Sequence, residues 1–191
     1  RESGLIMVTP AMSYYLHKGL AEYGHIDGSF EMFRSRFDKM LEPNTNGTLW
    51  EEWRLDGIGR SGKLVMGRTR SDAQTESAFA PALFAEYLLG IRPTKPGMKE
   101  LEITRRKSMI QDMKAEVPTP EGNLSVQWEG NQKVAKLLQL HIPGEMKVKL
   151  DLSSLKGEKS KPIMVNGNIL KQNVEEEPYL ILSGGNYSIQ F

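Results

Sequence analysis

Trp50, Glu51, Glu52 and Trp53 are the residues whose types and spacing best suit chemistry. A carboxylate can take a proton from water as a general base, and indole faces pack on sugar rings. Glu51 lies between the two tryptophans, just after the helix-breaking Pro43, Asn44, Asn46 and Gly47. Adjacent side chains point to different sides of a helix or strand, so only one of Glu51 and Glu52 can face a cleft. A plainer reading fits the same residues: two surface glutamates beside buried tryptophans. Trp50 and Trp53, three apart, can share a helix face in a core or offer a platform for a sugar. Residues 54–71 are rich in Gly, Arg and Ser with little periodicity. A loop of that length inside a compact domain is more often functional than not. Within and just after it, Arg68, Arg70 and Asp72 are candidates for hydrogen bonds to hydroxyls.

Composition narrows the field. A formal net charge of +1, from 25 basic and 24 acidic residues, gives no electrostatic case for nucleic acid or an acidic membrane as partner. The absence of cysteine excludes disulfides and thiolate ligands. His17, His25 and His141 show no metal-ligand spacing, and Gly184-Gly185 precedes no helix that would make a phosphate loop. No metal or cofactor is therefore expected. No apolar run reaches the ~18 residues a spanning helix needs. The first residues carry no signal-peptide pattern and no initiating Met, so the chain is expected to begin inside a longer polypeptide.

The elements that must position the candidates fall into two kinds. Up to about residue 90 the period is helical. Thr9-Pro10 suits a helix start, Met12, Tyr15, Leu16, Leu20 and Tyr23 form an apolar face, and Gly24 is a stop. Asp27 can cap a second helix whose face holds Phe30, Phe33, Phe37, Met40 and Leu41. A third helix runs from about Ala73 to Leu89, starting or kinking at Pro81. Beyond Pro93 and Pro96-Gly97 the period is two. Leu124, Val126 and Trp128 alternate with polar residues, as do Leu138, Leu140 and Ile142, then Met146, Val148 and Leu150. Seven or eight short strands between turn signals predict an antiparallel β-sandwich. Three or four helices with large aromatic faces cannot close a core alone. The expected domains are 1–97, the incomplete end of a helical domain, and 98–191, the sandwich.

Several segments resemble bacterial α-L-rhamnosidases of glycoside hydrolase family 78. They are Gly47-Thr48-Leu49-Trp50-Glu51-Glu52-Trp53, Arg70-Ser71-Asp72-Ala73-Gln74-Thr75-Glu76-Ser77, Leu89-Gly90-Ile91-Arg92-Pro93-Thr94-Lys95-Pro96-Gly97 and Val117-Pro118-Thr119-Pro120-Glu121-Gly122, in that order. The resemblance implies the last helices of an (α/α)6 barrel followed by the sandwich. It implies hydrolysis of terminal α-L-rhamnose from plant polysaccharides or glycosides with inversion. The base would be Glu51, and the general acid would lie upstream, so this chain alone would be inactive. Substrate contacts would come from Trp50, Trp53, Arg70, Asp72 and Gln74. Gln74 stands where many relatives have a His, and Glu76 where an aromatic follows, a departure that bears on sugar specificity. Alternatives are a related barrel glycosidase for another sugar, or a non-catalytic carbohydrate-binding fragment. The expected partners are a carbohydrate and the upstream part of the same polypeptide, in the periplasm or outside the cell.

Overall fold

A computed structural model describes residues 8–43, 47–53, 73–106, 108–130, 135–155 and 162–191. The chain forms two compact units, 1–83 and 84–191.

In the first unit, α1 (Ser13–Glu22) packs against α2 (Ile26–Phe37), and a 3-10 turn (Asp38–Leu41) continues α2. The Thr9 hydroxyl accepts from the Met12 N–H at 3.4 Å, one turn before α1 is established. Asp27 lies inside the first turn of α2, on the side where the helix dipole favours an anion. The expected apolar face of α1 is not its buried one. Met12, Tyr15, Leu16 and Tyr23 are exposed, whereas Ser13, His17 and Ala21, spaced four apart, are buried. The polar members of that stripe find local partners, except His17 Nε2, which is buried without a hydrogen-bond partner among the described residues. The Ser13 hydroxyl donates to the Pro10 carbonyl at 2.5 Å, and His17 Nδ1 pairs with the Ser29 hydroxyl of α2 at 3.0 Å. Burial, aided by the charge of Arg36, lowers the His17 pKa and favours a neutral ring.

The predicted third helix is broken. A 3-10 turn (Thr75–Ser77) precedes α3 (Ala80–Tyr87), and Pro81 falls in the first turn of α3, where its missing N–H costs nothing. The division between the units falls within α3. Leu89 and Ile91, next along the chain, belong to the sandwich core.

The second unit holds two sheets. The smaller has the order β1-β2-β6-β9, from Ile91–Pro93, Glu100–Ile103, Lys147–Asp151 and Tyr179–Leu182. The larger has the order β3-β4-β5-β10-β7-β8, from Met113–Thr119, Gly122–Gly130, Ala135–Ile142, Gly185–Gln190, Met164–Val165 and Asn168–Ile169. Leu124, Val126, Trp128, Leu138, Leu140, Val148 and Leu150 all point into one core. The Trp128 indole, fully buried, donates to the Leu89 carbonyl at 3.3 Å. The sandwich is not wholly antiparallel as expected: β2 and β6 run parallel. Parallel neighbours need a long crossover, and here β3, β4 and β5 of the other sheet supply it.

Two local devices explain parts of the sequence. Gly90 has φ +78°, and a Cβ there would collide with the Thr104 carbonyl. That approach lets the Thr104 N–H donate to the Gly90 carbonyl at 3.0 Å and registers Ile91 opposite Ile103. Val117 to Gly122 builds the β3–β4 hairpin. Thr119 pairs with Gly122 across a Pro120-Glu121 loop, and its hydroxyl donates to the Gly122 carbonyl at 2.6 Å. Pro118 is tolerated because β3 is an edge strand.

An ion cluster around the buried Glu100 ties strands of the small sheet. Glu100 accepts from the Thr94 hydroxyl at 2.9 Å, from Lys95 at 3.1 Å and from Lys149 at 3.2 Å. The Thr94 and Lys95 hydrogen bonds, with Lys149 behind them, overcome burial and hold its carboxyl at about 2, against an ordinary 4.5.

Gly90→Ala should lower unfolding stability by about 2 kcal/mol or more, through φ strain and the backbone collision, as read by urea denaturation; an unchanged midpoint would contradict the Gly90 account. For Glu100, the folded pKa is depressed, so its stabilisation is present above pH 4.5 and lost as pH falls towards 2. The stability gap between the parent chain and Glu100→Gln should therefore shrink as denaturation is repeated from pH 6 down to ~3. A gap independent of pH would refute that origin.

Candidate functional site

The Trp-Glu-Glu-Trp segment is held by its backbone. Residues 47–53 form no helix or strand; Glu51 and Glu52 lie in a bend. The Gln74 N–H donates to the Leu49 carbonyl at 2.8 Å, and the buried Ser77 hydroxyl donates to the Trp50 carbonyl at 3.0 Å. These two bonds bring the segments 47–53 and 73–77 side by side. The Gln74 backbone is thus next in space to Leu49 and Trp50, just before Glu51.

An aromatic cluster supplies the floor. Trp50 is 3% exposed and packs with Phe37 and Met40. Trp53 is half-buried, meets Phe37 edge-on at 5.0 Å and donates from its indole to the Val8 carbonyl at 2.6 Å. Phe33 stacks on Phe37 at 4.1 Å, and Phe79 touches both edge-on. The stripe Phe33–Phe37 of α2 therefore serves as core, while its i,i+4 spacing places it under the tryptophans. Of the two readings open for the tryptophans, Trp50 takes the core position and Trp53 keeps part of its ring accessible.

Glu51 and Glu52 are both half-buried. Arg70 and Asp72, together with Arg68, lie outside the described residues. Among the described residues, no group of three or more His, Asp or Glu side chains is arranged to hold a metal ion, and no helix is long and apolar enough to cross a membrane. The arrangement sets the segment that carries Glu51 and Trp53 beside Gln74, on a backbone tied by Ser77 and by the burial of Trp50. No sequence motif marks the role of Ser77. Its only signal there is a small hydroxyl residue three after Gln74.

Residues 90–163 match the bacterial α-L-rhamnosidase C-terminal domain. No curated protein matches the sequence. Among solved structures, the α-L-rhamnosidase from Dictyoglumus thermophilum aligns with 95% of this chain and 21% of its own, at TM-score 0.67 and 16% identity. The Streptomyces avermitilis α-L-rhamnosidase, complexed with L-rhamnose, aligns with 96% of this chain and 17% of its own, at TM-score 0.62 and 16% identity. The family 78 rhamnosidase of Bacillus sp. GL1 aligns with 74% of this chain and 15% of its own, at TM-score 0.60 and 25% identity. The chain thus spans about a fifth or less of the length of these enzymes. In domain match and in fold, it resembles the C-terminal portion of the α-L-rhamnosidases of glycoside hydrolase family 78.

Proposed function

We propose that this chain is the C-terminal portion of a glycoside hydrolase that removes terminal α-L-rhamnose from plant polysaccharides or glycosides with inversion. The observation that carries this reading is the α-L-rhamnosidase C-terminal domain at residues 90–163, beside a fold shared with several α-L-rhamnosidases. In this reading residues 1–97 complete an (α/α)6 barrel whose earlier helices belong to the upstream polypeptide. The exposed apolar residues Met12, Tyr15, Leu16 and Tyr23 of the first unit support it, since such a cluster on one short stretch is what further helices would cover.

Glu51 is the general base. It draws a proton from a water that attacks the anomeric carbon, while a carboxylic acid upstream protonates the leaving oxygen. Inversion requires the two carboxyl groups to stand roughly 6.5–9.5 Å apart, leaving room for that water. Trp53 offers its accessible ring to the sugar, and Trp50, buried, orients the turn that carries Glu51. Gln74 contacts a hydroxyl, as do Arg70 and Asp72 from the loop before it. The departure at Gln74 favours a second reading, a related barrel glycosidase for another sugar: an amide donates and accepts but cannot carry the imidazole's charge.

In the full-length polypeptide, Glu51→Gln should lower kcat on an aryl α-L-rhamnoside by roughly 10³-fold, with thermal stability unchanged. Near-normal turnover would sink the assignment of Glu51. The first sugar released, followed by proton NMR before mutarotation, should be the β-anomer; the α-anomer appearing first would refute inversion. Faster hydrolysis of a different aryl glycoside would select the second reading.

A further inference from the structure

The large sheet of the second unit has two faces. Leu124, Val126, Trp128, Leu138, Leu140 and Ile189 point into the core. The residues between them point outward, and the strand register lines them up in rows. Ser125 of β4 is opposite His141 of β5, which is opposite Asn186 of β10. One step along, Lys114 of β3 is opposite Gln127, which is opposite Gln139, which is opposite Ser188. These two rows line a cleft of about 390 Å³ on the outer face, within the usual range for small-ligand sites.

The end of the cleft at β7 is built. The Asn166 side chain accepts from the Ser188 N–H at 2.8 Å and donates to the Asn186 carbonyl at 3.3 Å. It holds a left-handed backbone at φ +50°, in the Asn166-Gly167 turn between β7 and β8. A side chain fixed at both ends forms a rim and not a mobile flap.

The chemistry of the lining selects a ligand class. His141 Nδ1 faces Asn186 Oδ1 at 2.8 Å. An amide oxygen only accepts, so Nδ1 donates in this pair and Asn186 keeps its NH₂ as a donor. The Gln139 amide and the Ser125 and Ser188 hydroxyls have no side-chain partner among the described residues. Gln127 gives one N–H to Glu129 at 3.0 Å and retains its carbonyl. Donors and acceptors therefore both stand along each row, with Lys114 the one Lys, Arg, Asp or Glu among the described lining residues. An anion would meet unpaired acceptors, a cation would find no carboxylate in the lining, and an apolar ligand would strand the amides. Vicinal hydroxyls donate and accept at once and satisfy both kinds. Within a row the side chains stand about 4.8 Å apart, the spacing of neighbouring strands, which is the scale of a sugar ring.

We infer that this outer-sheet cleft is a binding site for a neutral oligosaccharide, held by side-chain amides and hydroxyls. It is a site for holding a glycan, separate in residues and chemistry from the Glu51 segment. The Tyr187 hydroxyl is engaged by the Ser183 carbonyl at 2.9 Å, and no indole lines the cleft. The affinity is accordingly weak, with Kd on the order of 1 mM.

The test is a titration of the ¹⁵N-labelled 191-residue chain with a rhamnose-containing oligosaccharide, with a xylo-oligosaccharide and with inorganic phosphate. Saturable shifts of the Gln127, Gln139 and Asn186 side-chain amides with at least one sugar, and not with phosphate, are expected. The double variant Gln139→Ala with Ser188→Ala should raise that Kd by roughly tenfold. Should the variant lose its dispersed spectrum, the parent-chain titration decides alone. No saturable shift in the cleft with either sugar would overturn the inference, as would an equal response to phosphate or the same shifts on concentrating the protein without sugar. The outcome is independent of turnover, so an inactive Glu51→Gln enzyme and an unresponsive cleft are distinguishable failures.

Discussion

Burial of Trp50 fixes the direction of the chain on both sides of it. Its indole fills the space over Phe37 and Met40, and its carbonyl is taken by the Ser77 hydroxyl. A bend with no helical or strand ladder has few backbone bonds of its own and would otherwise sample many conformations. The buried Trp50 ring, with hydrogen bonds from the Ser77 hydroxyl and the Trp53 indole, helps to stand in for that ladder. Trp50 is committed to the core, and Glu51 beside it is half-buried. The second tie, from the Gln74 N–H to the Leu49 carbonyl, brings an amide alongside. The chemistry proposed for Glu51 therefore depends on the packing beneath it.

The sandwich works by a different economy. Strand alternation puts large aliphatic residues and Trp128 in one core, and the register does the rest. The same register that matches Val126 with Leu140 inside matches Gln127 with Gln139 outside. Polar rows on the outer face are thus a consequence of core pairing, available for recognition at no cost to the fold. Glu100 is the one carboxylate the small sheet buries, and it is tolerated because two lysines and a threonine hydroxyl converge on it.

Much of this was legible in the sequence. Strict alternation in β4 and β5 identified both the strands and their buried faces, since a period of two is read directly from neighbours. Gly90 and the Pro120-Glu121 turn were legible as punctuation, though the close approach of Thr104 that makes Gly90 necessary was not. The parallel pairing of β2 with β6 was hidden because it joins residues more than forty positions apart and leaves no local trace. In β9, Tyr179 and Ile181 are exposed while Leu182 is buried, so four apolar residues in a row carry no alternation to read. The face of α1 was misjudged for a physical reason: hydrophobicity marks Met12, Tyr15 and Leu16, but the side packed against α2 carries Ser13, His17 and Ala21. At the candidate site, the Trp-Glu-Glu-Trp run was visible. The roles of Ser77 and of the Gln74 backbone were not, because they act through carbonyls that any sequence possesses.

The account's central claim is that the packing of Trp50 aims Glu51 at a sugar. A crystal structure of the full-length polypeptide with L-rhamnose bound tests it most directly. The Glu51 carboxylate should line the sugar cleft, with a second carboxyl group roughly 6.5–9.5 Å from it across the anomeric carbon. A Glu51 side chain directed into bulk solvent, with the sugar bound elsewhere, would contradict it.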